Sequence, residues 1–151
     1  PAPSTKPAPS ATPAPTATPA PNQGIGQMQQ QMLNLVNQER TKAGLKPLTV
    51  DMRLVKLARM KSQDKIAKKY FGHQSPTYGS PFDMMKREGI TYKTAGENLA
   101  GASAVKRAHD LLMQSEGHRR NILNPSFTHI GIGIVKGGPY GMMFTQMFIG
   151  T

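Results

Sequence analysis

Four histidines and eight carboxylates are all that this 151-residue chain offers for acid/base or metal chemistry. Their settings differ. His73 falls in YFGHQSPTYGSPF, a loop-forming run of Gly, Ser and Pro where a side chain can face a cleft without competing with core packing. Glu97 stands between Gly96 and Asn98 in TAGENLAG, among small and apolar residues. A carboxylate there must reach water or be paired, since burying it alone is costly, and a histidine would serve as the partner. His118 belongs to SEGHRRNILNP. With Ser115 as N-cap, Glu116 and His118 become the first and third helical residues. They then point about 200° apart, so only one of them can enter a common site.

The other two histidines have plainer readings. His109 lies within a helical segment beside Asp110, as an exposed or packed helix residue. His129 opens a strand in which Ile130, Ile132 and Ile134 alternate inward, which sets His129 on the solvated face. Two histidines and a carboxylate suit a divalent metal such as zinc with one open position, or an acid/base pair. Neither a His-Glu-x-x-His run nor a Ser-His-Asp arrangement is visible. With no cysteine, thiolate catalysis, disulfides and Cys-based zinc sites are excluded.

Positioning these residues requires helices first and strands last. QMQQQMLNLVNQERTKAG repeats Met28, Met32, Leu35 and Val36 at helical spacing and stops at Gly44. A second helix, capped by Asp51 or Thr49, carries Leu54, Leu57, Ala58 and Ile66 inward and its basic residues mostly outward. FDMMKRE forms a short helix closed at Gly89, and TAGENLAG an extended segment. SAVKRAHDLLMQS is helical with Val105, Ala108, Leu111 and Leu112 on one side, followed by a short helix that ends at Asn124-Pro125. HIGIGIV and MMFTQMFI alternate with a period of two around the KGGPYG turn, an antiparallel hairpin. This order predicts α+β with an antiparallel sheet covered by helices.

Residues 1–26, rich in Pro, Ala and Thr with one charge, bury too little to offset their ordering entropy and read as a disordered linker. Residues 27–151 form the domain. The chain opens on Pro1 without a basic n-region or an apolar h-region, so a secretory signal is not part of it. No apolar run is long enough to span a membrane. A net charge of +11, from 19 Lys and Arg against 8 Asp and Glu, draws the chain to polyanions. No helix-turn-helix, RNP or zinc-finger pattern accompanies it, which argues against sequence-specific nucleic-acid binding. The oligomeric state is left open.

In order along the chain, YFGHQSP, GENLAG, SEGHRRNILNPSFTHIGIGIV and FTQMF resemble the motifs of the CAP superfamily: cysteine-rich secretory proteins, antigen 5 and pathogenesis-related 1. The cysteine-free form is most similar to the bacterial SCP-like branch. The resemblance implies a three-layer α-β-α sandwich with a small antiparallel sheet flanked by helices. It further implies a cavity lined by His73, Glu97 and His118, matching respectively the family's first cavity histidine, its Gly-Glu-Asn glutamate and the bacterial Gly-His-Arg histidine. His73 and His118 are the candidate metal ligands. Leu112 stands where tryptophan is usual, and Glu116 where the bacterial pattern has proline. An acid and a proline are both favoured at a helix start, so Glu116 reads as a terminus residue and His118 keeps the site role.

The expected function is that of an exported, surface-tethered extracellular domain whose cavity binds a component of the bacterial cell envelope or a small lipid-like ligand. The alternative is a metal-dependent or acid/base hydrolase using the same cavity. Whether the chain is an enzyme is not legible at this level.

Overall fold

The computed structural model describes residues 26–151, so the expected linker lies outside the described residues apart from Gly26. The elements run α1 (Gln27–Lys42), β1 (Thr49–Val50), α2 (Met52–Ala67), α3 (Pro81–Arg87), β2 (Thr94–Ala102), α4 (Val105–Gln114), α5 (Glu116–Ile122), β3 (His129–Lys136) and β4 (Met142–Gly150). Residues 26–30 contain the first turn of α1, and Gln31–Thr151 forms the main folded unit. The caps follow the sequence. Asp51 accepts from the Arg53 amide at the start of α2, and Ser80 with Asp83 closes a reciprocal capping box on α3, where Pro81 opens the helix. Past α1 the chain turns at Gly44, whose φ of +79° favours glycine.

The four strands are ordered β1-β3-β4-β2. β2–β4 and β3–β4 are antiparallel, as expected for the hairpin. β1 adds in parallel to β3, with Thr49 opposite His129 and Val50 opposite Ile130. The sheet is therefore mixed and not purely antiparallel. A two-residue strand carries no alternation to read, and Thr49 had served equally well as a helix cap.

Helices cover both faces. On one face α2 lies directly on β3: a Cβ added to Gly131 or Gly133 would come within 2.2 Å of the α2 backbone. Leu54, Leu57 and Ala58 of α2 pack there with Met84, Met85, Met147 and Ile149. On the other face Asn121 of α5 donates to Asn98 Oδ1 at 2.8 Å, and Phe127 stacks on Phe148 at 5.2 Å. β4 is buried along its whole length, as a central strand in a three-layer sandwich must be. The solvated face expected on β3 is thus the α2 interface, and His129 is half-buried at its end, within hydrogen-bond reach of Thr128.

Two expectations about side-chain direction are corrected. Lys61 and Lys65 of α2 are both 0% exposed, not part of a solvated basic stripe. α2 is covered along a wider arc than its apolar residues mark, and acceptors wait there: the His73 carbonyl for Lys61 and the Phe144 carbonyl, at 2.9 Å, for Lys65. On α4, Leu112 fills the core side, and Leu111, about 100° round the helix, is left 38% exposed.

Candidate functional site

Glu97 projects from β2 toward α2, where its side chain is 1% exposed. Its Oε1 lies 2.8 Å from His73 Nδ1 and 3.9 Å from Lys61 Nζ, so a buried carboxylate has both a histidine and a cation as partners. The carboxylate accepts the Nδ1 proton, which leaves Nε2 as the free ring nitrogen of a side chain that is 58% exposed. Among the described residues, Oε2 of Glu97 has no hydrogen-bond partner. Burial lowers the pKa of Lys61, and Glu97 and Asp64 oppose that fall.

The loop bearing His73 is held by Asp64. This buried α2 carboxylate accepts from Ser75 Oγ at 2.5 Å, Tyr70 Oη at 2.6 Å and Thr77 Oγ1 at 2.8 Å. Burial works to raise the Asp64 pKa, but the three hydroxyls outweigh it and hold the carboxyl below its usual range. Phe71 in the same loop covers Lys65, whose Nζ is 5.1 Å from the ring centroid. Burial, aided by Lys61 and opposed by Glu97, brings the Lys65 pKa down to about 7.

On the opposite face, α5 opens at Ser115, which occupies the N-cap position while its hydroxyl bonds no backbone amide. Its Oγ instead meets His118 Nδ1 at 2.9 Å. The His118 carbonyl accepts from Asn98 Nδ2 at 3.0 Å, and Arg40 holds the far end of α5 by donating to the carbonyls of Ile122 and Asn124. Burial, and after it the charge of His73, lowers the His118 pKa. Glu116 is exposed and pairs with Arg120 at 3.0 Å, as a helix-terminus residue would.

His118 and Ser115 form the polar part of a cavity of about 210 Å³ whose remaining wall is mainly apolar. Phe71, Leu111 and Tyr140 stand at its rim, and Phe71 meets the Tyr140 ring edge-on at 6.0 Å. Leu99, Ala100 and Gly101 all line it. Consecutive strand residues point to opposite faces, so the cavity runs along the outer edge of β2. β2 is one of the two edge strands of the sheet.

His73 and Glu97 therefore meet, whereas His118 is reached from the other face, and neither His73 nor Glu97 lines the cavity. Among the described residues no three His, Cys, Asp or Glu side chains are grouped to hold a metal ion. The residues do not fit a His-His-Glu zinc site as they stand: Glu97 is engaged by a buried ammonium and by the ring it would join. Lys61, Lys65 and Asp64 were not legible as site residues, because a basic helix run reads as a solvated face. Tyr140 was part of a turn, and only the aromatic pair Tyr70-Phe71 hinted at the rim.

The profile of the cysteine-rich secretory protein family matches residues 33–148. The Bacillus subtilis protein YkwD is 58% identical over 123 residues, covering 81% of this chain and 47% of its own length. A solved extracellular protein containing an SCP domain from Bacillus anthracis is 35% identical with a TM-score of 0.75, over 82% of this chain and 40% of that one. An outer surface protein of Borrelia burgdorferi shares the fold, with a TM-score of 0.75 at 18% identity over 82% of this chain and 92% of that one. This chain thus spans less than half of YkwD and of the Bacillus anthracis protein.

Proposed function

The chain belongs to the cysteine-rich secretory protein (CAP) family, and on that premise we propose that it acts as an exported, surface-tethered domain that binds a small lipid-like component of the bacterial envelope in the cavity beside His118. One observation carries this reading. Of the five large apolar side chains exposed on the described surface, three (Phe71, Leu111 and Tyr140) gather at the mouth of one cavity whose polar groups are Ser115 and His118. Apolar walls with a few convergent polar groups are the makeup of a small-molecule site. At about 210 Å³ the cavity is smaller than the ~300 Å³ at which drug-sized pockets begin. It suits the end of one chain and not a whole lipid. Export is supported by the Pro/Ala/Thr-rich linker composition and by the extracellular description of the Bacillus anthracis relative.

The test is calorimetric titration with 1-octanol, whose hydroxyl can reach His118 while its tail fills the apolar wall. Saturable binding is expected, lost on Leu99→Trp, which fills the cavity. Absence of binding by a folded wild-type chain would end this reading.

A second reading, acid/base hydrolysis, draws on the His73–Glu97 pair. A buried carboxylate that holds Nδ1–H leaves Nε2 as an oriented base, as in carboxylate–histidine pairs of hydrolases. Turnover of p-nitrophenyl octanoate that falls with His73→Ala would favour it over binding alone. Turnover unaffected by that change would remove it.

A further inference from the structure

Phe71, Leu111 and Tyr140 are 50%, 38% and 52% exposed, although they belong to three separate elements that meet at one rim. Clustered exposed apolar groups mark a contact surface. Cations surround them along the chain. Lys68 and Lys69 shortly precede Phe71. Arg107 lies one turn before Leu111 on α4, and both are exposed, so they share a flank of the helix. Lys136 closes β3 at the hairpin turn that carries Tyr140. None of these four cations forms an ion pair among the described residues.

The carboxylates that could have formed ion pairs with them have their hydrogen bonds elsewhere. Asp64 and Asp83 hold hydroxyl and backbone donors, and the other six acids each pair with a cationic or histidine side chain. The rim is thus apolar at its tip, and close to it along the chain stand four exposed cations held in no ion pair, two of which, Lys68 and Arg107, feel Asp64 and Asp110 only through the field.

We propose that this rim is a membrane-contacting face: Phe71, Leu111 and Tyr140 enter the interfacial layer of an anionic bilayer while Lys68, Lys69, Arg107 and Lys136 meet its headgroups. Aromatic side chains with an apolar body favour that layer, and basic residues close to an anionic surface add attraction over a Debye length. A wall polyanion would engage the cations and make no use of the three exposed apolar side chains. A bilayer uses both. The inference goes beyond the cavity's content and does not depend on it.

The chain has no tryptophan, so Phe71→Trp introduces a single indole at the rim. Mixed with vesicles of brominated phosphatidylglycerol and phosphatidylcholine in equal parts, its fluorescence is expected to be quenched and blue-shifted. With brominated phosphatidylcholine alone it is expected to stay unchanged. Phe82→Trp, exposed on α3 outside the rim, serves as the control and should remain unquenched. Vesicle sedimentation of the otherwise unaltered chain should weaken more than about 100-fold when the four cations become Gln, and roughly fivefold with Leu111→Ser, an exposed position that leaves the fold intact. Equal partition to neutral and anionic vesicles, no partition at low salt, or charge-dependent sedimentation with an unquenched Trp at 71 would each overturn the proposal, the last leaving polyanion attraction only. Vesicle binding without 1-octanol binding ends the cavity reading alone, and the reverse ends this one alone.

Discussion

Lys61 and Glu97 face each other across the α2–β2 interface with Nζ 3.9 Å from Oε1 and both side chains closed to solvent. Each ion is the other's compensation in a place where water cannot screen either, and His73 completes the pair at the surface side.

Glu97→Gln removes the charge and leaves the Lys61 ammonium buried against a neutral amide. The expected loss is about 3 kcal/mol in urea unfolding, the cost of breaking a buried pair from one side. Adding Lys61→Met should recover most of it. A double variant as unstable as the single one would mean that the two groups are not coupled.

Lys65 sets the sign of the alkaline stability. Its folded amine titrates near 7, mainly through burial, whereas the unfolded chain keeps that proton to about 10.5. Between these values the unfolded state binds more protons, so this lysine makes stability rise with pH across the window and costs stability as pH falls toward 7. Its share of the slope is about 1 kcal/mol per pH unit. Urea midpoints measured from pH 7 to 10 should climb in the wild type and flatten in Lys65→Met. An equal climb in both would assign the effect to other groups.

The loop that presents both Phe71 and His73 depends on one carboxylate. Asp64→Asn keeps the shape but offers one acceptor oxygen where two now take three hydroxyls. At least one hydroxyl is left without its acceptor, and the expected destabilisation is about 2 kcal/mol. Limited proteolysis should show cleavage within residues 70–79 before the rest of the domain is attacked. Uniform cleavage throughout would argue against a local latch.

How legible this was depended on whether the signal was local. The hairpin, the cap at Asp51 and the helix stop at Gly44 are nearest-neighbour chemistry, and they stand where the residues place them. That Glu97 needs a partner was legible from a polarity mismatch, a carboxylate in an apolar run, whereas only the family resemblance put His73 in the same site, where the two now meet. Lys61 and Lys65 were missed because burial of a lysine is decided by what lies opposite: here the carbonyls of His73 and Phe144, 12 and 79 residues along the chain and outside the helix. β1 was missed for the same reason, its two residues being a strand only because Ile130 and His129 lie beside them.

Gly131 and Gly133 mark where backbone meets backbone. An added Cβ at either would approach the α2 main chain to 2.2 Å, a contact no side-chain rotation can relieve. Gly131→Ala and Gly133→Ala should each cost about 3 kcal/mol or more and separate α2 from the sheet. Circular dichroism melts and soluble yield measure this. A variant that melts like the wild type would mean that α2 can ride further from β3 than the packing indicates.

His118 should titrate below the ordinary histidine value. Burial against the apolar cavity wall disfavours its imidazolium first, and the nearby charge of His73 second. At neutral pH it is then an uncharged ring linked to Ser115 Oγ, able to offer a ligand hydroxyl a single hydrogen bond without a stranded charge. Imidazole NMR titration should show its midpoint move up in His73→Ala, because one of the two causes is removed. It should move down further when 1-octanol fills the cavity and excludes water from the ring. If the protein binds 1-octanol, that affinity should weaken as pH falls through the His118 titration, since the protonated ring would have to lose solvent on binding. A midpoint indifferent to both His73 and 1-octanol would detach His118 from the cavity's chemistry.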